Sequence, residues 1–226
     1  MTSSTLPVVA ILGGTGELGT GLARRWALAG YPIIIGSRDR QKAQAAAEEL
    51  QTKMSAAGQC PASVDALDNL NAAKAADIVA LTVPFSHQKN TLEAVKKALE
   101  GKILIDVTVP LVPPKVARVQ LPAEGSAGQI AQALLGDNCR VVSAFQNVAA
   151  SHLQQERDID CDVLVCGNDK DARSQVIELV EAAGLRGFHA GGIHNAAAAE
   201  ALTSVLISIN RQFKCHAGIR VTGLPE

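Results

Sequence analysis

The chain has no long hydrophobic run. Its clearest apolar stretches, Val8–Leu12 and Ile78–Leu81, fall far short of the roughly 18 residues that a membrane-spanning helix needs. Nor does charge of one sign dominate. Lys and Arg number 21 against 22 Asp and Glu, and a net charge of -1 gives no reason to expect nucleic acid or an acidic membrane as partner. The start, Met1-Thr2-Ser3-Ser4-Thr5, lacks a basic residue and an apolar segment, so no secretory signal is visible and a cytoplasmic location is expected. The cysteines are Cys60, Cys139, Cys161, Cys166 and Cys215, with no C-x-x-C pair among them. That spacing argues against a disulfide framework and a structural zinc site, and the thiols are expected to be small buried hydrophobes in a reducing compartment. The histidines show no zincin-like spacing, so no metal site is expected, and without G-x-S-x-G hydrolase chemistry has no nucleophile elbow.

What is present is ample apolar material: 47% of 226 residues, enough for a sizeable core and too much for a disordered chain. Short apolar runs alternate with longer helix-like segments. Strands are expected at Val8–Leu12, Ile33–Ile35, Ile78–Val83, Ile103–Val107, Val141–Phe145 and Asp162–Cys166. Helices are expected at Glu17–Ala29, Arg40–Ala57, Ser86–Leu99, Asp169–Ala183 and Asn195–Lys214. Val109–Pro122, with four prolines, should be an ordered loop outside any ladder. The alternation implies an α/β fold with a doubly wound parallel sheet covered on both faces, followed by a C-terminal helical extension. We expect a single domain over 1–226, its core spanning about 7–190 and its final helix about 193–215.

The most informative stretch is Val8-Val9-Ala10-Ile11-Leu12-Gly13-Gly14-Thr15-Gly16-Glu17-Leu18-Gly19. Gly14, Gly16 and Gly19 fit G-x-G-x-x-G, and they follow a buried strand and open a helix, which is the context of a Rossmann dinucleotide site. Gly14 is assigned the tight turn, Gly16 the approach of the pyrophosphate, and Gly19 the close packing of helix on strand. Free N–H groups at the helix start hold the phosphates. The second strand ends Ile35-Gly36-Ser37-Arg38, with Lys42 one helical turn later, where an NAD site would carry an acid for the ribose hydroxyls. A hydroxyl, a guanidinium fork and a point charge suit a 2′-phosphate, so the nucleotide is read as NADP(H). Asp39, the nearby acid, is expected to cap the next helix.

Further blocks complete a recognisable set: Val83-Pro84-Phe85-Ser86-His87, Ser143-Ala144-Phe145, Cys166-Gly167 and Ala190-Gly191. Together with Gly13–Gly19, Ser37-Arg38 and Lys42 they resemble the NADPH-dependent reductases of the deazaflavin coenzyme F420, over nearly the whole chain. The resemblance implies direct hydride transfer between stacked nicotinamide and deazaflavin rings, with positioning rather than a side-chain acid or base carrying the step. It implies that Thr15, Gly16, Glu17 and Leu18 border the pyrophosphate. Ser37, Arg38 and Lys42 would hold the 2′-phosphate, and Val83, Pro84 and His87 would lie beside the adenosine or linking ribose. Ala150 would lie near the nicotinamide, and Gln146, Asn147 and Val148 would contact the acceptor. Two positions depart from the archaeal pattern: Gln146-Asn147-Val148-Ala149 stands where those members have His-Thr-Ile-Pro, and Glu17 where they have Asn.

Other readings stay open at this level. The acceptor could be a flavin, a pterin or another planar heterocycle, or the chain could be an NADP sensor without turnover; small residues at Ala144, Ala149 and Ala150 leave room for stacked rings and favour turnover. His87 is either a cofactor contact or a helix cap. His152 is a candidate for the substrate cleft, and Asp106 for a loop-anchoring carboxylate. On the last helix Ala198, Leu202, Val205, Leu206, Ile209 and Phe213 recur at helical spacing. With Ala196–Ala199 and Ile207 they give it a wide apolar face, from which we expect a homodimer through this helix, the same helix forming one wall of the acceptor cleft.

Overall fold

The computed structural model describes residues 6–156 and 158–224; the first five residues, on which the expectation about a secretory signal rests, lie outside them. Eight strands, β1 (Val9–Leu12), β2 (Ile33–Ser37), β3 (Val64–Asp68), β4 (Ile78–Leu81), β5 (Ile103–Asp106), β6 (Arg140–Ser143), β7 (Asp162–Gly167) and β8 (Arg186–His189), form one sheet in the order β3-β2-β1-β4-β5-β6-β7-β8. The helices are α1 (Glu17–Leu28), α2 (Arg40–Ala56), α3 (Asn69–Ala75), α4 (Phe85–Val95), α5 (Ala127–Leu135), α6 (Ala150–Leu153), α7 (Lys170–Ala182) and α8 (Ala196–Phe213). β1, β4 and β5 are buried along their whole length because apolar side chains point to both faces of the sheet. One apolar cluster, centred on Trp26, Ile33 and Ile35, fills one face; a second, around Leu12, Leu81 and Leu104, fills the other. Among the described residues no helix is long and apolar enough to cross a membrane.

The sheet is not parallel throughout: Val142 and Ser143 of β6 pair antiparallel with Gly167 and Cys166 of β7. The physical reason lies in the connection. A parallel neighbour needs a crossover long enough to cover a face, and among the described residues of 144–161 the one helix is the four-residue α6. β6 also stops two residues before the expected end, because Phe145 takes φ 72°, a left-handed conformation that a ladder cannot continue. β4 likewise ends at Leu81 rather than Val83, and α4 gives way to a 3-10 turn at Lys96–Leu99. The loop between β5 and α5 has no regular element and is tied to α8 where Ser204 Oγ donates to the Arg118 carbonyl at 3.3 Å.

Helix starts follow their capping side chains. Asp39 accepts from Gln41 N at 2.9 Å, as its position predicts, and Asp68, Ser126 and Asp169 do the same for α3, α5 and α7. α8 is anchored by Glu200, whose carboxylate accepts from Ala127 N and Gly128 N at 2.7 and 3.0 Å at the start of α5. Burial pushes this carboxyl up to about 8 despite those two donors. All five cysteines are free; Cys139, Cys161 and Cys166 are buried as expected, whereas Cys60 and Cys215 are exposed.

The final helix presents the expected apolar face outward except at Leu206. Ala196, Ala199 and Leu206 are buried within the chain itself, Ala196 as part of the core cluster around Leu81 and Leu104. The outward stripe is Ala198, Leu202, Val205, Ile209 and Phe213, with Val205 45% and Phe213 67% exposed.

Candidate active site

The turn after β1 is shaped by glycines with separate jobs. Gly13, not Gly14, carries the left-handed conformation, at φ 70°. Gly14 is required instead by close approach: a Cβ there would lie 2.6 Å from the Ile11 carbonyl oxygen. Its N–H donates to the Gly36 carbonyl at 3.0 Å, locking the turn to β2. A Cβ on Gly19 would lie 2.6 Å from Gly14 Cα, so this glycine sets the approach of α1 to the turn. Gly16 alone meets nothing within 4 Å and sits at the N-cap of α1 in an ordinary extended conformation, φ −81°. Space left open above a helix N-terminus is the shape an anion requires.

This turn forms the floor of a cleft of about 390 Å³ at the C-terminal ends of β1, β2 and β4. Thr15, Gly16, Glu17, Leu18, Ser37, Arg38, Val83, Pro84 and His87 all line it, together with Asn69 and Thr91. The position is the crevice where strand order reverses, between β1 and β4. Ser37 is buried, and its Oγ accepts from Asp39 N at 3.2 Å, which leaves the hydroxyl hydrogen to donate elsewhere. Lys42 does not line the cleft; it is exposed on the first turn of α2, beside Arg38 in sequence but outside the lining. His87 is half-buried in the first turn of α4, whose N-cap Pro84 forms no side-chain cap; His87 faces the cleft rather than capping the helix. An adjoining recess of about 260 Å³ continues past Arg38, Asn69, His87 and Thr91 to Ala94 and Val95.

A second cavity, of about 310 Å³, lies beyond Glu17. It is lined on one side by Gln146, Asn147, Val148, Ala149, Ala150 and Ser151, and on the other by Thr203, Leu206, Ile207 and Asn210 of α8. Ala150 belongs to this cavity and not to the first. The strained φ of Phe145 throws the chain out of the sheet immediately before Gln146, and the buried ring is held edge-on against Trp26 at 5.9 Å. Gln146 donates through Nε2 to the Asp106 carbonyl and Ser143 Oγ, at 2.8 and 2.9 Å. Asn147 Nδ2 donates to the Ala199 carbonyl at 2.9 Å, and Thr203 Oγ1 donates to the Gln146 carbonyl at 2.9 Å, so α8 and the segment are stitched together. Asp106 anchors the following loop by accepting from Thr108 N, and burial raises its carboxyl above the usual range.

Three buried polar atoms among the described residues have no hydrogen-bond partner: Gln146 Oε1, Ser151 Oγ and Asn69 Oδ1. Gln146 and Ser151 line the second cavity and Asn69 the first. An unpaired buried polar atom costs about 1–3 kcal/mol, and such atoms gathered around cavities mark groups awaiting a partner. Asn69, Ser151 and Thr203 escape the sequence analysis. Asn69 follows β3, whose Val-Asp-Ala-Leu-Asp carries no apolar run to announce it.

His152 lines neither cleft; it lies in a third recess with Asp158, Cys161 and His216, which adjoins the second cavity through Ala149, His216 and Ala217, and its ring is edge-on to His216 at 5.4 Å. Among the described residues no three His, Cys, Asp or Glu are grouped to hold a metal ion.

The family described as NADP oxidoreductase, coenzyme F420-dependent, matches residues 8–110. An F420-dependent NADP reductase of Methanocaldococcus jannaschii is 39% identical over 222 residues, covering 96% of this chain and 98% of that protein. One from Methanothermobacter thermautotrophicus is 41% identical over 225 residues, covering 96% of each. A crystal structure from Arthrobacter sp. FB24, provisionally assigned as an F420-dependent NADP reductase, superimposes with a TM-score of 0.76 at 27% identity, covering 93% of this chain and 96% of that one.

Proposed function

The chain belongs to the coenzyme F420-dependent NADP oxidoreductase family, and from that premise we propose that it transfers a hydride between NADP(H) and a deazaflavin held in the second cavity. One observation carries the reading: Glu17 lines both cavities, so a dinucleotide seated over Gly16 ends where the second cavity begins. Reduced nicotinamide supplies the hydride when bound, and the deazaflavin ring accepts it.

The side chains do the rest by position. Thr15, Gly16 and Leu18 border the pyrophosphate, and Ser37 and Arg38 grip the 2′-phosphate with Lys42 adding charge from outside. Val83, Pro84 and His87 flank the adenosine or its linking ribose. Ala149 and Ala150 leave room for one flat ring to lie on another, and hydride transfer between stacked rings needs no side-chain acid or base. Gln146, Asn147 and Val148 contact the acceptor, whose polar edge would complete Gln146 Oε1 and Ser151 Oγ. We take residues 1–226 as one NADP-binding domain, with 7–190 as core and 193–215 as dimerisation helix and cleft wall. Its location on this reading is cytoplasmic.

NADPH oxidation with purified protein tests the assignment. Turnover is expected with F420 and not with FMN; turnover with FMN alone would move the acceptor, and none with either would favour a sensor. Ser151→Ala removes an atom that is unpaired in the free protein, so its stability should not fall. Loss of one hydrogen bond to the acceptor, about 0.5–1.5 kcal/mol, should raise the acceptor KM about three- to tenfold and leave NADPH affinity unchanged.

The outward stripe of α8 supports a two-fold homodimer. Leu206 is unsuited to testing it, because it is buried in the chain. Val205→Glu with Phe213→Asp places charge on the exposed stripe instead. Sedimentation is expected to give a dimer for the unaltered protein and a folded monomer for the double variant; a monomer for both would end the proposal.

A further inference from the structure

Glu17 is an acid in a place built for anions. It occupies the first position of α1, at the edge of the phosphate turn. Its backbone carbonyl is engaged, accepting from Gln154 Nε2 at 2.7 Å. Its carboxylate makes no hydrogen bond or ion pair among the described residues. Of the residues lining the nucleotide cleft Glu17 is the one acid, and the same is true of the second cavity. A carboxylate here repels the pyrophosphate and weakens binding of any dinucleotide. The fold gains little from it: the side chain is exposed, and although the same face of α1 packs on α6 through Gly21, the carboxylate's one structural benefit is the favourable dipole at the first turn.

The two redox forms of the nucleotide differ where Glu17 stands. The phosphates carry the same charge in both, so their repulsion by Glu17 cancels in any comparison between the forms. The nicotinamide is neutral when reduced and carries a positive charge when oxidised. At the junction of the two cavities, beside Ala149 and Ala150, a carboxylate attracts the oxidised ring and leaves the reduced ring indifferent. The other charged or titratable groups lining the two cavities are Arg38, His87 and His216, none of them acidic.

We propose that Glu17 sets the redox preference of the bound nucleotide, holding NADP+ more tightly than NADPH and thereby tilting hydride transfer on the protein toward reduction of the acceptor. This rests on the nucleotide site proposed above. Glu17 acts on the bound ring through space and takes part in no bond. For one partly exposed charge beside another, a five- to tenfold change in the ratio of dissociation constants is expected, and tenfold corresponds to about 30 mV in a two-electron couple.

The experiment is a titration of the full chain and of Glu17→Gln and Glu17→Asp with NADP+ and with NADPH, at one fixed ionic strength. In Glu17→Gln both forms should bind more tightly, because the pyrophosphate is no longer repelled. The gain should be smaller for NADP+, so that the ratio Kd(NADP+)/Kd(NADPH) rises five- to tenfold. Glu17→Asp, which keeps the charge, should restore the ratio to within about twofold of the unaltered protein. Raising salt from 50 to 500 mM should shrink the difference between the unaltered protein and Glu17→Gln. If both forms bind and the ratio in Glu17→Gln stays within twofold, the inference is overturned while the nucleotide site stands. If neither form binds the unaltered protein, the site and the inference fall together.

Discussion

Gly16→Val is expected to give a folded protein that has lost measurable affinity for NADPH, a fall of at least about 100-fold. The two halves of that outcome have separate causes. The fold survives because Gly16 has an extended conformation with φ −81°, which valine adopts readily, and because a Cβ there meets nothing within 4 Å. The helix loses a favourable N-cap residue, at a cost of about 1 kcal/mol. Binding fails because the branched side chain fills the space left open for the pyrophosphate and shields the N–H groups of the first turn. Gly19→Val is the contrasting case. Its Cβ would lie 2.6 Å from Gly14 Cα and 2.9 Å from Thr82 Oγ1, so it should lower the melting temperature as well as the affinity. Thermal melts and fluorescence titration with NADPH separate the two. A folded Gly16→Val protein that bound NADPH normally would show that the cleft over the turn is not the nucleotide site.

How much of this could be read in the sequence follows from where each residue sits in the sheet. β1, β4 and β5 are central, buried on both faces, and announce themselves as apolar runs. β3 and β8 are the two edges, half covered and mixed in character, as Val-Asp-Ala-Leu-Asp and Arg-Gly-Phe-His show; neither gives a period or a run to read. Missing β3 meant missing Asn69 immediately after it. The turn glycines were legible as a motif but not in their division of labour, since that is decided by contacts with Ile11 just before the turn and with Gly36 and Val83 from distant parts of the chain. The antiparallel β7 was hidden for a similar reason. A bulky Phe145 at φ 72° is paid for by Trp26 on α1, more than a hundred residues away in sequence, and no local propensity records that. By contrast the Asp39 cap was legible, as was the place of Ser37 and Arg38 at the cleft, because capping and the end of a strand are local properties of the sequence.

Replacing Arg38 and Lys42 together with alanine should reduce NADPH affinity about 100-fold and change NADH affinity by no more than about threefold. The two residues are not equal partners. Arg38 lines the nucleotide cleft and its adjoining recess, beside Ser37, so its planar fork can meet a 2′-phosphate directly. A charge-assisted bond of this kind contributes about 1.5–3 kcal/mol, and Arg38→Ala alone should account for roughly ten- to fiftyfold of the loss. Lys42 is exposed and outside the lining, so it acts as a screened point charge contributing about 0.5–1 kcal/mol, or two- to fivefold, and its effect should fade as salt is raised. Asp39 does not oppose them strongly, because its carboxylate is engaged at the start of α2 by Gln41 N. NADH lacks the 2′-phosphate and touches neither charge, which makes it the internal control. Parallel titrations of both single variants and the double variant with both nucleotides decide the matter. A double variant that still favoured NADPH over NADH by the original margin would remove Ser37-Arg38 and Lys42 from the phosphate site and with them the assignment of NADP(H).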